Sequence, residues 1–139
     1  MTPAAASADE VVTLKTRQGA TQSFALLAPD KPTVSVILLP GGNGKTPLDK
    51  LIPHQFVKKG NFLVRIRYDL ERAGLMVAIV DVPSDQQMGG MIRFRGSDEH
   101  AQDIAAVADY LKAKAAVPVW LVGTSRGTES AAFLAPKLG

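Results

Sequence analysis

Five residues near the carboxyl end, Gly123-Thr124-Ser125-Arg126-Gly127, set one hydroxyl between two glycines. They follow the apolar run VWLVG and lead into TESAAFLAPKL, a helix-like stretch. A chain that turns from strand to helix within so few residues forces its central residue into a strained conformation. The side chain is then thrust out at the sheet edge. Glycines two before and two after are needed because the adjoining backbones crowd together. The helix behind supplies N–H groups and the positive end of a macrodipole close to the hydroxyl. This pattern points to nucleophilic chemistry, with Ser125 as the attacking oxygen and Gly123 and Gly127 making room for it. A serine that only caps a helix uses the same residue types; the preceding apolar strand favours the nucleophile.

A second stretch, VILLPGGNGKT over 36–46, breaks from an apolar run into glycines. Such a turn can present backbone N–H groups to an anion. One such anion is a nucleotide phosphate. A phosphate-binding loop reads G-x-x-x-x-G-K-[ST], and Gly44-Lys45-Thr46 supplies its end. Its first glycine falls at Leu39, however, and Pro47 and Pro53 disturb the segment where the phosphate-facing helix should begin. Asp81, closing VAIVD, resembles a magnesium-carrying residue, but an apolar strand ending in Asp is common in parallel sheets. The other anion is an oxygen that becomes negative only during a reaction.

The elements that must position these residues follow from periodicity. Residues 1–9 read as a disordered tail and 10–139 as one domain. VVTLKTRQG and TQSFALLAPD form a hairpin around Gly19-Ala20. TVSVILLP and LMVAIVDVP are strands buried on both faces. Asn61 caps a helix over 62–73, with Arg65–Asp69 and Arg67–Glu71 pairs on its outer side and Gly74 as its C-terminal cap. Ser97 caps a further helix whose buried stripe is Ile104, Val107, Ala108 and Leu111. The strand–helix alternation implies right-handed crossovers and a parallel sheet covered on both faces. Ligands bind such sheets at the carboxyl ends of the strands, where loops 40–46, 82–97 and 123–127 meet.

Composition narrows the classes. The 139 residues are 46% hydrophobic, enough for one modest core. A net charge of +3 and no basic block argue against nucleic acid; Lys58-Lys59 and Arg93/Arg95 read as solvated loop charge. With no cysteine, disulfides, thiolate metal sites and a cysteine nucleophile are excluded. Neither a metal nor another cofactor is expected. No apolar run approaches a membrane span of ~20 residues. Ala6-Ser7-Ala8 resembles the tail of an export cleavage site, so an exported protein that has lost its signal is one reading of the start.

From Val11 to the end the chain resembles the α/β-hydrolase superfamily. The resemblance rests on the opening hairpin, VILLPGG, VAIVDVP and LVGTSRG. It implies a three-layer α/β/α fold with a mostly parallel sheet in the order 1-2-4-3-5, strand 2 antiparallel. It also implies that the glycine loop is half of an oxyanion hole, with backbone donors at Gly42 or Asn43 and at Arg126. Pro40 stands where the family often has histidine, a tolerable change because the donor is main chain. Lys45 and Thr46 are then ordinary loop residues.

The family's acid and histidine follow the nucleophile. Fourteen residues follow Ser125, with Glu129 but no histidine. Glu129 lies too early in the helix to be the acid, and His54 and His100 both read as surface residues. The chain therefore reads as the N-terminal part of a truncated hydrolase, weakly active or inactive alone. Its parent would hydrolyse esters, with amides as the second choice, through an acyl-serine; lipid, small-ester and peptide substrates all stay open. In the loop over 84–96, Met88 and Met91 are candidates for an apolar acyl contact and Arg93 or Arg95 for a carboxylate. The uncovered fifth strand invites self-association. A non-catalytic binding or assembly module on the same fold is the alternative, with a nucleotide-binding protein behind it.

Overall fold

The computed structural model describes residues 9–51 and 61–139; the tail before Asp9, His54 and Lys58-Lys59 lie outside them. Strands β1 (Glu10–Arg17) and β2 (Ala20–Leu27) form the expected antiparallel hairpin, turning at Gly19 with φ 75°. Strands β3 (Val34–Leu39), β4 (Leu75–Val80) and β5 (Val119–Gly123) are parallel to one another. Crossovers place β4 between β2 and β3, giving the order β1-β2-β4-β3-β5 with β2 antiparallel to its neighbours.

Alternate residues of the central strands feed two cores. Phe24, Leu26, Ile37, Leu39, Met76 and Ala78 face helices α4 (Asp98–Lys114) and α5 (Gly127–Leu138), which contribute Ile104, Val107, Leu111 and Leu134. Ala25, Leu27, Val36, Leu38, Val77 and Ile79 face the short helices α1 (Leu48–Leu51), α2 (Phe62–Arg65) and α3 (Arg67–Arg72). Helices thus cover both faces, as period-2 burial of continuous apolar strands requires.

The Asn61 cap holds, its side chain accepting from Val64 N, and Gly74 ends the segment at φ 92°. The expected single helix over 62–73 is instead broken at Ile66, whose ψ of 2° departs from the helical value. At the break Arg67 turns inward, becomes fully buried and donates to the Val64 carbonyl at 2.5 Å. Arg67 is therefore not the outer-face residue its spacing suggests; on the exposed surface Arg72 pairs with Asp69.

On the opposite side Arg17 and Asp103 fasten β1 to α4. Asp103, fully buried, accepts from Thr16 Oγ1 and Arg17 Nε at 2.5 and 2.8 Å. Arg17 also meets Asp85 in the 3-10 turn Ser84–Gln86 at 2.8 Å, and this partner holds the Asp85 carboxyl below its ordinary value. Among the described residues no helix is long and apolar enough to cross a membrane.

Candidate active site

Strand β5 ends at Gly123 and α5 begins at Gly127, so three residues make the whole turn. Ser125 stands at its apex with φ 51°, alone among the described non-glycine residues in having a positive φ. An L-residue adopts this left-handed region at a cost of about 1–2 kcal/mol. The turn is held by Gly127 N to Thr124 O at 2.8 Å, Thr128 N to Ser125 O at 3.0 Å and Thr128 Oγ1 to Ser125 O at 2.6 Å.

The flanking glycines have steric reasons. A Cβ on Gly123 would run into the Gly127 carbonyl, and one on Gly127 into the Leu39 carbonyl. The turn therefore packs directly on the end of β3, where the chain leaves for the glycine loop. That loop lies against Ser125: a Cβ on Gly41 would sit 2.9 Å from Thr124 O, 3.0 Å from Ser125 Cβ and 3.5 Å from Arg126 N. Gly42 and Gly44 have φ of 62° and 81°, and Gly44 N closes a turn onto Gly41 O at 3.1 Å. Among the described residues no acceptor meets the N–H groups of Gly42, Asn43 or Arg126.

Gly41, Gly42, Asn43, Thr124 and Ser125 share one cleft of about 420 Å³, with Lys45 and Phe62 on its walls. It lies at the carboxyl ends of β3 and β5. A second hollow, of about 450 Å³, lies between α4, β5 and α5 and is lined by Ala108, Leu121, Ala131 and Leu138. It lacks convergent polar groups, so its size does not make it the site of chemistry.

Thr46 and Asp81 have structural duties. Thr46 is buried, with its hydroxyl on Val80 O at 3.2 Å and its N–H on Asp81 Oδ1 at 2.8 Å; Asp81 also accepts from Val82 N. Helix α1 starts only at Leu48. A phosphate-binding loop would instead turn the Thr46 hydroxyl outward and start its helix at Lys45.

Comparison with known proteins starts from structure, since no protein-family profile and no curated protein matches the sequence. A dienelactone hydrolase from Anabaena variabilis superposes with a TM-score of 0.65 at 17% identity, over 95% of this chain and 58% of its own. The fold is that of the α/β-hydrolases. A cold-adapted esterase from an Arctic intertidal metagenomic library gives 0.64 at 18% identity, over 94% of this chain and 56% of its own. DcsB, solved with a substrate analogue, gives 0.64 at 22% identity, over 92% and 41% respectively. The chain thus spans about half the length of the α/β-hydrolase structures it matches.

Within this α/β-hydrolase fold, two expectations are overturned. Arg95 is not solvated loop charge: it is 3% exposed and donates to Ser130 Oγ at 2.8 Å, Pro40 O at 2.9 Å and Gly42 O at 3.2 Å. Burial lowers its pKa, with Glu129 opposing and Arg126 adding to the shift. His100 is not a surface residue: it is 1% exposed, with Nε2 3.0 Å from Ser130 Oγ. Burial, reinforced by Arg95, lowers its pKa to about 4, so it is a neutral imidazole at pH 7. It is engaged with Ser130 rather than Ser125. Both were missed because one lies in a polar loop and the other in a helix's first turn, where charged residues are ordinarily solvated. Met91 is buried against Val82 and Phe94 and abuts Gly44, so it packs the loop, whereas Met88 is exposed.

Proposed function

We propose that Ser125 is the nucleophile of a serine hydrolase acting on carboxylic esters. One observation carries the reading: Ser125 occupies a left-handed conformation at a strand–helix turn while facing a loop of unengaged amides. A helix cap needs neither the strain nor the facing loop. The similar structures include a dienelactone hydrolase and an esterase, which supports ester cleavage as the reaction class.

In this reading Ser125 Oγ attacks the ester carbonyl carbon as its proton passes to a base. The carbonyl electron pair moves onto oxygen, and the resulting anion accepts N–H from Gly42 or Asn43 and from Arg126. Each such donor is worth ~3–4 kcal/mol in the transition state. Collapse re-forms the carbonyl, breaks the bond to the leaving alkoxide and returns the proton to it, leaving an acyl-serine. Water then releases the acid and restores Ser125. Among the described residues no base is hydrogen-bonded to Ser125, and a serine without an engaged base keeps only the rate due to the oxyanion hole and binding.

Incubation with a fluorophosphonate, followed by peptide mapping, tests the reading. An adduct on Ser125 that Ser125→Ala removes is the expected result. Adducts confined to lysine or histidine peptides, with Ser125 unmodified, would favour the second reading: a binding or assembly module that keeps the fold without the chemistry. The engagement of His100 with Ser130 is the observation on that side.

A further inference from the structure

Arg95 puts a guanidinium beneath the glycine loop, and among the described residues no carboxylate is hydrogen-bonded to it. Its three acceptors among the described residues are neutral and come from two elements: Pro40 and Gly42 on the loop, and Ser130 on α5. Burying a cation among neutral oxygens is costly where an apolar side chain could fill the space. The arrangement therefore invites an explanation beyond packing.

In a trans peptide the C=O and N–H point in opposite directions. Drawing Pro40 O toward Arg95 turns the Gly41 N–H away from it, and drawing Gly42 O does the same for Asn43 N–H. The intervening peptide closes the loop on itself, Gly41 O accepting from Gly44 N, so this bond opens when the flanking carbonyls lose their anchor. We infer that Arg95 is the positioning residue of the site: its Nη2, donating to both the Pro40 and Gly42 carbonyls, aims the amides of Gly41 and Asn43 at the Ser125 cleft. The inference rests on the reading of Ser125 as nucleophile and goes further, selecting Asn43 over Gly42 as the amide that Arg95 orients. The retained positive charge also polarises these peptides, strengthening N–H groups that face a developing anion. Lysine cannot take this role fully, since an ammonium on a flexible stem lacks the rigid planar guanidinium that presents Nη2 to both carbonyls.

The test compares the chain with Arg95→Met, Arg95→Lys and Ser130→Ala, each checked for folding by circular dichroism. Hydrogen exchange is read by NMR at Gly44 and Met91, whose N–H groups bond to Gly41 O and Asn43 O at 3.1 and 2.9 Å. Amides of β3 and β4 serve as internal standards. Fluorophosphonate labelling of Ser125 is resolved into a reversible binding constant and a first-order rate.

In Arg95→Met both amides should exchange about tenfold faster with the strand amides unchanged. The labelling rate should fall about 100-fold with the binding constant within about twofold. Arg95→Lys should fall between. Ser130→Ala, which disturbs the same buried cluster from the α5 side, should keep the labelling rate within about threefold. A folded Arg95→Met or Arg95→Lys chain with unchanged exchange at Gly44 and Met91 overturns the inference. So does a Ser130→Ala chain that slows as much as Arg95→Met, since that would make the effect one of general packing. If the unaltered chain takes no label at Ser125, the nucleophile reading falls, and the exchange results still decide whether Arg95 holds the loop.

Discussion

Strain at Ser125 is a cost that a purely structural residue would shed. Glycine adopts a φ of 51° freely, whereas alanine keeps the Cβ penalty and loses the hydroxyl. Ser125→Gly should therefore be about 1 kcal/mol more stable than Ser125→Ala to urea, even after glycine's greater unfolded-state entropy. Both should lose fluorophosphonate labelling. Equal stability of the two variants would mean that the backbone at 125 relaxes and stores no strain. Gly127→Ala and Gly123→Ala each drive a methyl into a carbonyl, at Leu39 and Gly127 respectively. Each should lose about 3 kcal/mol, read as a fall in melting temperature. The direct passage from β5 to α5 was legible in the sequence because an apolar strand runs into a helical stretch within three residues. Arg95 was not, because its burial depends on a loop, a strand end and a helix meeting from distant parts of the chain.

Between elements, His100 and Ser130 join α4 to α5 through one hydrogen bond inside the core. The folded imidazole, with a pKa of about 4, binds its proton less readily than the unfolded one at 6.5. As pH falls below 6.5 the unfolded state is protonated first. This contribution to stability is thus present in full above pH 6.5 and is lost as pH falls to about 4. It amounts to on the order of 3 kcal/mol. In urea titrations between pH 7 and 4, His100→Gln should flatten this part of the stability curve; an unchanged slope would mean that His100 is not what titrates. Helix existence was readable here from capping and spacing, as at Ser97, whose Oγ accepts from His100 N at 3.1 Å. Helix continuity was not. The break at Ile66 accompanies the burial of Arg67, which a charge-pair spacing cannot register.

Across the molecule, the sheet has two unlike edges. The outer strand β1 carries Glu10, Lys15 and Arg17, charges that discourage a further strand. Strand β5 has the sequence VWLVG, pairs among the described residues only with β3 and leaves Trp120 56% exposed. The described chain should self-associate through this edge as its concentration rises, and Trp120→Lys should weaken that association about tenfold in sedimentation experiments. A monomer at every concentration, or an unaffected constant, would rule this out. Alternating apolar runs and helices made a parallel sheet with covered faces readable, and Gly19-Ala20 the hairpin, whereas the strand order came from the resemblance to the α/β-hydrolases. What the opposite side of the cleft looks like was not, since the chain spans about half of the α/β-hydrolase structures it matches.

The most direct measurement is a crystal structure of the chain with an alkylboronic acid, whose boron becomes tetrahedral on bonding to a serine. The account predicts a bond from boron to Ser125 Oγ, with one boron oxygen within hydrogen-bonding distance of the Asn43 and Arg126 amides. A boronate bonded to Ser125 whose oxygens all point to solvent, or one bound elsewhere with Ser125 free, would contradict it.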